Sequence, residues 1–153
     1  MKIVIINGPN LNLLGRREPS IYGTRSMEQV LLDIQRAYTD LHLIYRQSNH
    51  EGQLIDWIQE FGVKTCSQSH EGDEVIGIVL NAGGYTHTSV ALRDAIACCD
   101  VPVVEVHISN IAEREPFRRI SMLTDVCQHS VIGQGTDGYK QAVAWIFQKN
   151  KCE

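Results

Sequence analysis

The sequence predicts an α/β fold, a doubly wound sheet of five parallel strands in a single domain. Short β-branched runs alternate with longer amphipathic stretches along the chain, and this alternation is typical of parallel strands joined by crossover helices. Two of the runs, at residues 3–6 and 76–80, are apolar at nearly every position, as expected of strands that are covered on both faces. A length of 153 residues fits one domain.

The five predicted strands are short and are separated by helical segments. They span residues 2–6, 42–47, 75–81, 103–107 and 130–132. Five strands alternating with helices at this chain length favour a flavodoxin-like strand order. In such a sheet ligands bind beyond the carboxyl ends of the strands, so we expect the chemistry just after Ile6, Asn81 and Val106.

The predicted helices follow from apolar periodicity and from end signals. Ser26 is a predicted N-cap, with Glu28 in the first turn, and Gly62 is a predicted C-cap. The helices are predicted at residues 26–41, 52–61, 87–99 and 139–149, with a shorter one at about 114–123. No linker interrupts the pattern, so we expect one catalytic domain over residues 1–153, with a lid loop at about 7–25.

The composition argues against several classes of protein. Fourteen basic and 18 acidic residues give a net charge of −4, whereas a nucleic-acid surface needs a concentrated basic face. No segment approaches the roughly 20 apolar residues of a membrane span, and the N-terminal apolar run is too short for a signal peptide. Five cysteines without a C-x-x-C pair fit reduced thiols. We therefore expect a cytoplasmic protein without nucleic-acid or membrane partners.

Polar side chains gather after three of the predicted strands. The first connection, residues 7–23, is much longer than the usual length of about 2–6 residues, which is typical of lids and binding loops. The second, residues 81–89, is rich in glycine and hydroxyl groups, and the third follows Glu105 and His107, which alternation places on one face. Three polar connections at one edge of the sheet predict an active site there.

The sequence motifs give no support for a cofactor or a metal. Residues 133–138 match G-x-G-x-x-G, but they follow the last predicted strand, whereas a dinucleotide-binding loop normally follows the first. No P-loop motif is present, and the six histidines lack the spacing of metal ligands. We expect catalysis by side chains alone.

Four stretches of the sequence resemble the type II 3-dehydroquinate dehydratases. They are NGPNLNLLGRREPSIYG (7–23), RQSNHEGQLIDWI (46–58), NAGGYTHTSVALRDA (81–95) and VPVVEVHISNIAEREPFRR (101–119). The resemblance covers most of the chain and implies a flavodoxin-like fold. It also implies a cofactor-free hydro-lyase of the shikimate pathway, and a homododecamer built from trimers.

The resemblance implies catalytic roles for five residues. Tyr22 resembles the base that takes the C2 proton of 3-dehydroquinate, and Arg17 the cation that holds it as tyrosinate, since a nearby guanidinium lowers the pKa of a phenol. Asn10 corresponds to a residue that stabilises the enolate. His107 resembles the general acid that protonates the departing C1 hydroxyl, with Glu105 orienting its imidazole.

The resemblance also implies seven substrate-binding residues. They are Ile108 and Ser109 for the carboxylate, through their backbone N–H groups; Asn81, His87 and Arg118 for the hydroxyls; and, in addition, Arg114 and Asp94. Backbone N–H groups and arginine side chains suit an anionic, hydroxylated ligand. Asp94 is expected to reach into the site of a neighbouring subunit.

Two other readings of the same residues stay open. One is a hydrolase or isomerase that uses the His107–Glu105 pair on another small acid, and the other is a non-catalytic flavodoxin-like binding domain. An imine mechanism is disfavoured because no lysine lies in the three polar connections; the five lysines are Lys2, Lys64, Lys140, Lys149 and Lys151. Three departures from the family pattern are Ala112, His129 and the longer segment at 63–74.

Overall fold

Five parallel strands form the sheet, in the order β2-β1-β3-β4-β5. The computed structural model describes residues 1–16, 19–64 and 74–152. The strands are β1 Lys2–Asn7, β2 His42–Gln47, β3 Val75–Asn81, β4 Val103–His107 and β5 His129–Ile132, and every neighbouring pair is parallel. The predicted α/β class and flavodoxin-like order are confirmed, and the predicted strand ends are within one residue of those observed.

Helices cover both faces of the sheet. They are α1 Pro19–Tyr22, α2 Met27–Ala37, α3 Glu51–Gly62, α4 Val90–Ala97 and α5 Asp137–Cys152. Helices α2 and α5 pack on one face, and α3 and α4 pack on the other. Among the described helices, none combines the length and the apolar character that crossing a membrane requires.

Strand β1 shows why its sequence is apolar at consecutive positions. Ile3 and Ile5 belong to the core under α2 and α5, whereas Val4 and Ile6 belong to the core under α3 and α4. All four side chains are fully buried. A strand between two helical layers has no solvent-facing side, so both of its faces must be apolar.

Several predicted helix boundaries differ from the observed ones, including those of α5, which extends two residues before and three residues beyond the predicted 139–149. The helix predicted to Leu41 ends at Ala37, where the Gln35 side chain donates to the carbonyls of Tyr38 and Leu41. The one predicted at 87–99 is a 3₁₀ turn followed by α4, which begins after a cap at Ser89. The cap works because the Ser89 hydroxyl accepts from the Leu92 N–H at 2.9 Å.

The predicted helix at 114–123 is absent, and Gly62 is not a C-cap. Only a 3₁₀ turn, Pro116–Arg118, forms in that region, and Phe117 and Ile120 are 69% and 74% exposed. Their apolar pattern therefore does not face the core of this chain. Gly62 is the last helical residue of α3, and a Cβ there would meet Cys99 Sγ at 2.4 Å.

The family departures have simple local settings. Ala112 lies in a 3₁₀ turn, where its N–H donates to the Asn110 side chain at 3.2 Å. His129 is exposed and stacks on Trp145 with ring centroids 5.1 Å apart. Most of the longer segment, residues 65–73, lies outside the described residues.

The loops after β1 and β3 approach each other backbone to backbone. A Cβ on Gly8 would meet the Ala82 carbonyl oxygen at 2.4 Å and its carbon at 2.6 Å. The Gly8 N–H donates to the Asn81 carbonyl at 2.7 Å. The two loops are therefore held together at the edge where the candidate site lies.

Gly8→Ala is expected to destabilise the fold by about 1–3 kcal/mol, because the clash is with backbone that cannot rotate away. Urea unfolding measures this change. Gly52→Ala is the matched control, since Gly52 lies in α3 with nothing within 4 Å of the added Cβ, and it should be neutral or stabilising. Equal stability of the two variants would contradict the close approach.

Candidate active site

An open cleft lies at the carboxyl ends of β1, β3 and β4. Its volume is about 170 Å³. Eight of the predicted site residues line it: Asn10, Asn81, His87, His107, Ile108, Ser109, Arg114 and Arg118. The connections after three separate strands thus supply one concave surface, as ligand binding in open α/β sheets requires.

Four other predicted site residues are not among the cleft residues that the structure describes. Glu105 lies behind it, with 1% of its surface exposed. Asp94 lies on α4, is exposed and is not among the residues that line this cleft. Arg17 lies outside the described residues, as does the side chain of Tyr22, whose backbone ends α1.

His107 and Glu105 form a buried pair at the end of β4. Nε2 of His107 lies 2.7 Å from Oε1 of Glu105, and the two side chains are only 7% and 1% exposed. The carboxylate oxygen lies off the direction of the Nε2–H bond, so the pair makes a close polar contact without an aligned hydrogen bond. Because Nε2 faces the carboxylate, Nδ1 is the nitrogen left for the cleft. The shared face predicted from strand alternation is confirmed.

Four hydroxyl groups surround the Glu105 carboxylate. Thr86 and Ser121 contact Oε1 at 2.7 and 2.5 Å. Thr124 and Ser130 contact Oε2 at 2.7 and 3.2 Å. These four residues were not predicted from the sequence, because isolated serines and threonines carry no distinguishing pattern and the four come from different segments.

The environment of Glu105 favours its ionised form. Burial alone would raise the pKa of this carboxyl, but the contact with His107 and its charge, and the hydroxyls of Ser121 and Thr124, outweigh burial and lower the pKa to about 2. The carboxylate is therefore an anion throughout the ordinary pH range.

The same lowered pKa makes Glu105 a source of pH-dependent stability. A carboxyl whose folded pKa lies below its unfolded value of 4.5 stabilises the protein above that pH, and the contribution is lost as the pH falls towards about 2. The stability difference between the native protein and Glu105→Gln should therefore shrink over this window. Guanidinium unfolding at neutral pH and at about pH 3 measures it; a difference that stays constant would contradict the lowered pKa.

Asn10 occupies a backbone conformation that disfavours side chains. Its φ of 67° is the only positive value among the described non-glycine residues, and asparagine tolerates this region better than most residues. The Asn10 N–H donates to the Asn49 side chain at 3.0 Å, which helps to hold the turn. The strained turn presents residue 10 at the cleft.

A buried chain of hydrogen bonds fixes the floor of the cleft. The Asn81 amide donates to the Tyr139 hydroxyl at 2.9 Å, and this hydroxyl donates to the Asn7 side-chain oxygen at 2.8 Å. The Asn81 oxygen accepts from the Gly83 N–H at 3.2 Å, so the orientation of the amide is determined. Burial raises the pKa of Tyr139, and its hydroxyl therefore stays protonated as a donor.

His87 is held by one ring nitrogen. Its Nδ1 lies 2.7 Å from the Ile120 carbonyl oxygen. A carbonyl only accepts, so Nδ1 carries the proton and Nε2 is left as the acceptor for the cleft in the neutral ring.

Two arginines give the cleft positive charge. Arg114 donates to the Ser109 hydroxyl at 3.3 Å. The Arg114 and Arg118 Nε atoms lie 3.3 and 3.4 Å from the Glu115 carboxylate. Glu115 was not predicted, and it spaces the two guanidinium groups at the rim. Positive charge beside the 108–109 backbone suits an anionic ligand.

In the part of the chain described, no three His, Cys, Asp or Glu side chains are grouped to hold a metal ion.

Known proteins resemble this chain in both sequence and structure. A family model described as Dehydroquinase class II matches residues 1–147. The chain is 46% identical over 153 residues to the 3-dehydroquinate dehydratase of Rhodopseudomonas palustris, which covers 96% of this chain and 93% of the relative. It is 47% identical over 148 residues to that of Acidovorax ebreus, covering 95% and 97%. The crystal structure of a type II dehydroquinase from Butyrivibrio crossotus superposes with a TM-score of 0.83 at 44% identity, covering 96% and 97%.

Proposed function

Because this chain belongs to the class II dehydroquinase family, we propose that it dehydrates 3-dehydroquinate to 3-dehydroshikimate, by an anti elimination that passes through an enolate. The observation that carries the proposal is the buried His107–Glu105 pair beside an arginine-lined cleft. A proton donor next to an anion-binding surface suits the loss of a hydroxyl from a carboxylic acid. No feature of the described cleft residues favours the hydrolase, isomerase or binding-domain alternatives.

The first step is removal of the C2 proton by Tyr22. A phenol of pKa near 10 is a weak base at neutral pH, so the role requires a neighbouring cation, which we assign to Arg17. Charge then develops on the ketone oxygen as the enolate forms. We assign the stabilisation of that charge to Asn10, and its position in the cleft lining, on a fixed turn, supports this role.

The second step is departure of the C1 hydroxyl as water. We assign its protonation to His107 through Nδ1, because Nε2 faces Glu105. The anionic carboxylate of Glu105 orients the ring and stabilises positive charge on it.

Substrate binding divides between anion and hydroxyl recognition. The backbone of Ile108 and Ser109, next to Arg114, supports binding of the carboxylate. The oriented amide of Asn81, the Nε2 atom of His87 and the guanidinium of Arg118 are assigned to the hydroxyl groups.

We also propose a lid and an assembly. Residues 7–25 are the lid, within one catalytic domain over residues 1–153. The enzyme is a cytoplasmic homododecamer built from trimers, in which Asp94 reaches a neighbouring site. Exposed apolar side chains support contact between copies, since Val90, Phe117 and Ile120 are 53%, 69% and 74% exposed. Sedimentation analysis should give the mass of a dodecamer, and a monomer would contradict this assembly.

Purified protein mixed with 3-dehydroquinate tests the function, because the product contains a conjugated enone that absorbs in the ultraviolet. Absorbance should rise with enzyme concentration. A rate equal to that of the enzyme-free control, with folded protein, would overturn the proposal.

Borohydride is expected to leave the enzyme active when it is added together with substrate. The reagent traps an imine between a lysine and a ketone, and no described lysine lines the cleft. Residual activity after treatment and the mass of the intact protein measure the effect. A substrate-dependent mass increase on a lysine would replace the enolate route by an imine route.

A further inference from the structure

We propose that the hydroxyls of Thr86, Ser121, Thr124 and Ser130 are a cage that selects the anionic form of Glu105, and that the imidazole of His107 is therefore the only proton carrier of the pair. The proposal rests on the proposed function, because it assigns positioning residues to the same acid. These four residues act on the reaction through Glu105 and do not line the cleft.

The cage is complete around both carboxylate oxygens. Oε1 has contacts of 2.7 Å from Thr86, 2.5 Å from Ser121 and 2.7 Å from the His107 ring. Oε2 has contacts of 2.7 Å from Thr124 and 3.2 Å from Ser130. An ionised carboxylate offers about four lone-pair sites and no donor. These contacts occupy those sites with groups that can donate a hydrogen bond.

The directions of the hydroxyl protons follow from the neighbouring groups. The Leu123 N–H donates to the Ser121 oxygen at 3.1 Å, which leaves the Ser121 proton to be donated. The hydroxyl oxygens of Thr86 and Ser121 are 2.9 Å apart. Each hydroxyl proton is therefore donated either to Oε1 or to the other hydroxyl, which in turn donates to Oε1. A protonated Glu105 would introduce a competing donor into this arrangement, and burial prevents water from relieving the conflict.

The charged and titratable neighbours of Glu105 are few. In the described structure they are His107 on the same strand and the Cys127 thiol. Burial and the charge of Glu105 raise the pKa of Cys127 to about 12, so this thiol stays neutral. Asp125, next to Thr124 in the same turn, has 85% of its side chain exposed, so this turn presents a hydroxyl and not a charge to the carboxylate.

Hydrogen bonds connect the backbone around the cage to neighbouring segments, including the one that carries His87. The Met122 N–H donates to the Thr86 carbonyl at 2.8 Å, and the Arg93 guanidinium donates to the Met122 carbonyl at 2.7 Å. The same segment supplies the Ile120 carbonyl that holds His87. The backbone on both sides of Ser121 is consequently held in place.

The cage decides which group of the pair carries a proton. If fewer hydroxyls contacted Glu105, the buried carboxyl would have a higher pKa, because burial would no longer be outweighed. A neutral carboxyl would no longer favour positive charge on the ring. The fraction of enzyme with a proton on His107 would then fall at low pH, where the acid should be most available.

The test is a titration of Glu105 in the protein with ¹³C-carboxyl-labelled glutamate. Glu105→Gln identifies its resonance. In the native protein this resonance should stay in its ionised position down to about pH 3. In Ser121→Ala/Thr124→Val the midpoint should rise by about one pH unit or more, and the acidic limb of kcat should move up with it.

Thr39→Val is the matched control, since Thr39 is exposed on a distant turn. In this variant neither the midpoint of the Glu105 titration nor the acidic limb of kcat should move. An unchanged Glu105 midpoint in the folded double variant would overturn the proposal, whether or not the enzyme is active. The titration needs no substrate, so its failure is distinct from failure of the proposed function. If the double variant does not fold, Thr124→Val alone should still raise the midpoint, and the same null result would count against the cage.

Discussion

Replacing His107 by asparagine is expected to lower kcat by about 10²–10⁴-fold, the usual contribution of a positioned general acid. The hydroxide-like group that leaves C1 needs a proton, and Nδ1 is the ring nitrogen available in the cleft. Asparagine keeps a polar side chain near Glu105 but has no proton to transfer at neutral pH. KM should change much less, because the arginines and the 108–109 backbone remain in place.

Steady-state rates of enone formation at saturating substrate measure this loss. His42→Asn is the matched control. His42 is exposed at the amino end of β2, whereas the cleft lies at the carboxyl ends of the strands. The control should retain its rate. A His107→Asn enzyme within threefold of the native kcat would remove His107 as the acid.

Tyr22→Phe is expected to lower kcat by about 10²–10⁴-fold as well, since it deletes the proposed proton acceptor while keeping the ring. The phenyl ring fills the same space, so binding should persist. Calorimetric titration with a non-reacting carboxylate analogue of the substrate should give a Kd close to that of the native enzyme. The pair of measurements separates a lost base from a lost binding site.

Tyr38→Phe provides the comparison for this substitution. Tyr38 packs edge-on against Phe147 at the end of α2, with ring centroids 5.3 Å apart, and its replacement should not alter the rate. A near-normal rate in Tyr22→Phe would move the base to another residue of the cleft. A lost rate together with lost binding would instead assign Tyr22 to substrate recognition.

The sheet could be predicted because burial on two faces constrains each strand residue by residue. Ile3 to Ile6 illustrate this, since a polar residue at any of the four positions would lie in one of the two cores. The connection after β4 could not be predicted in the same way. Phe117 and Ile120 have helical spacing but are exposed, so packing in the core of this chain does not explain their apolar character.

The residues that line the cleft could be predicted from their position at strand ends and from the family resemblance. Glu105, which lies behind the cleft, could be predicted from the same signals, but the hydroxyl residues around it could not. Thr86 and Ser130 are 44 positions apart in the chain and meet only because β4 and β5 are neighbours and the loop after β3 folds over them. Such contacts arise from tertiary packing, and no local pattern marks a hydroxyl that donates to a buried carboxylate.

The close approach of Gly8 and Ala82 restricts how this scaffold can be re-engineered. The loop after β1 and the loop after β3 fit as one part, with Gly83 also in a left-handed turn (φ 59°) against the Pro9 carbonyl. A replacement of the loop after β1 is therefore expected to need matching residues at 81–84, since either loop alone would meet the backbone of the other.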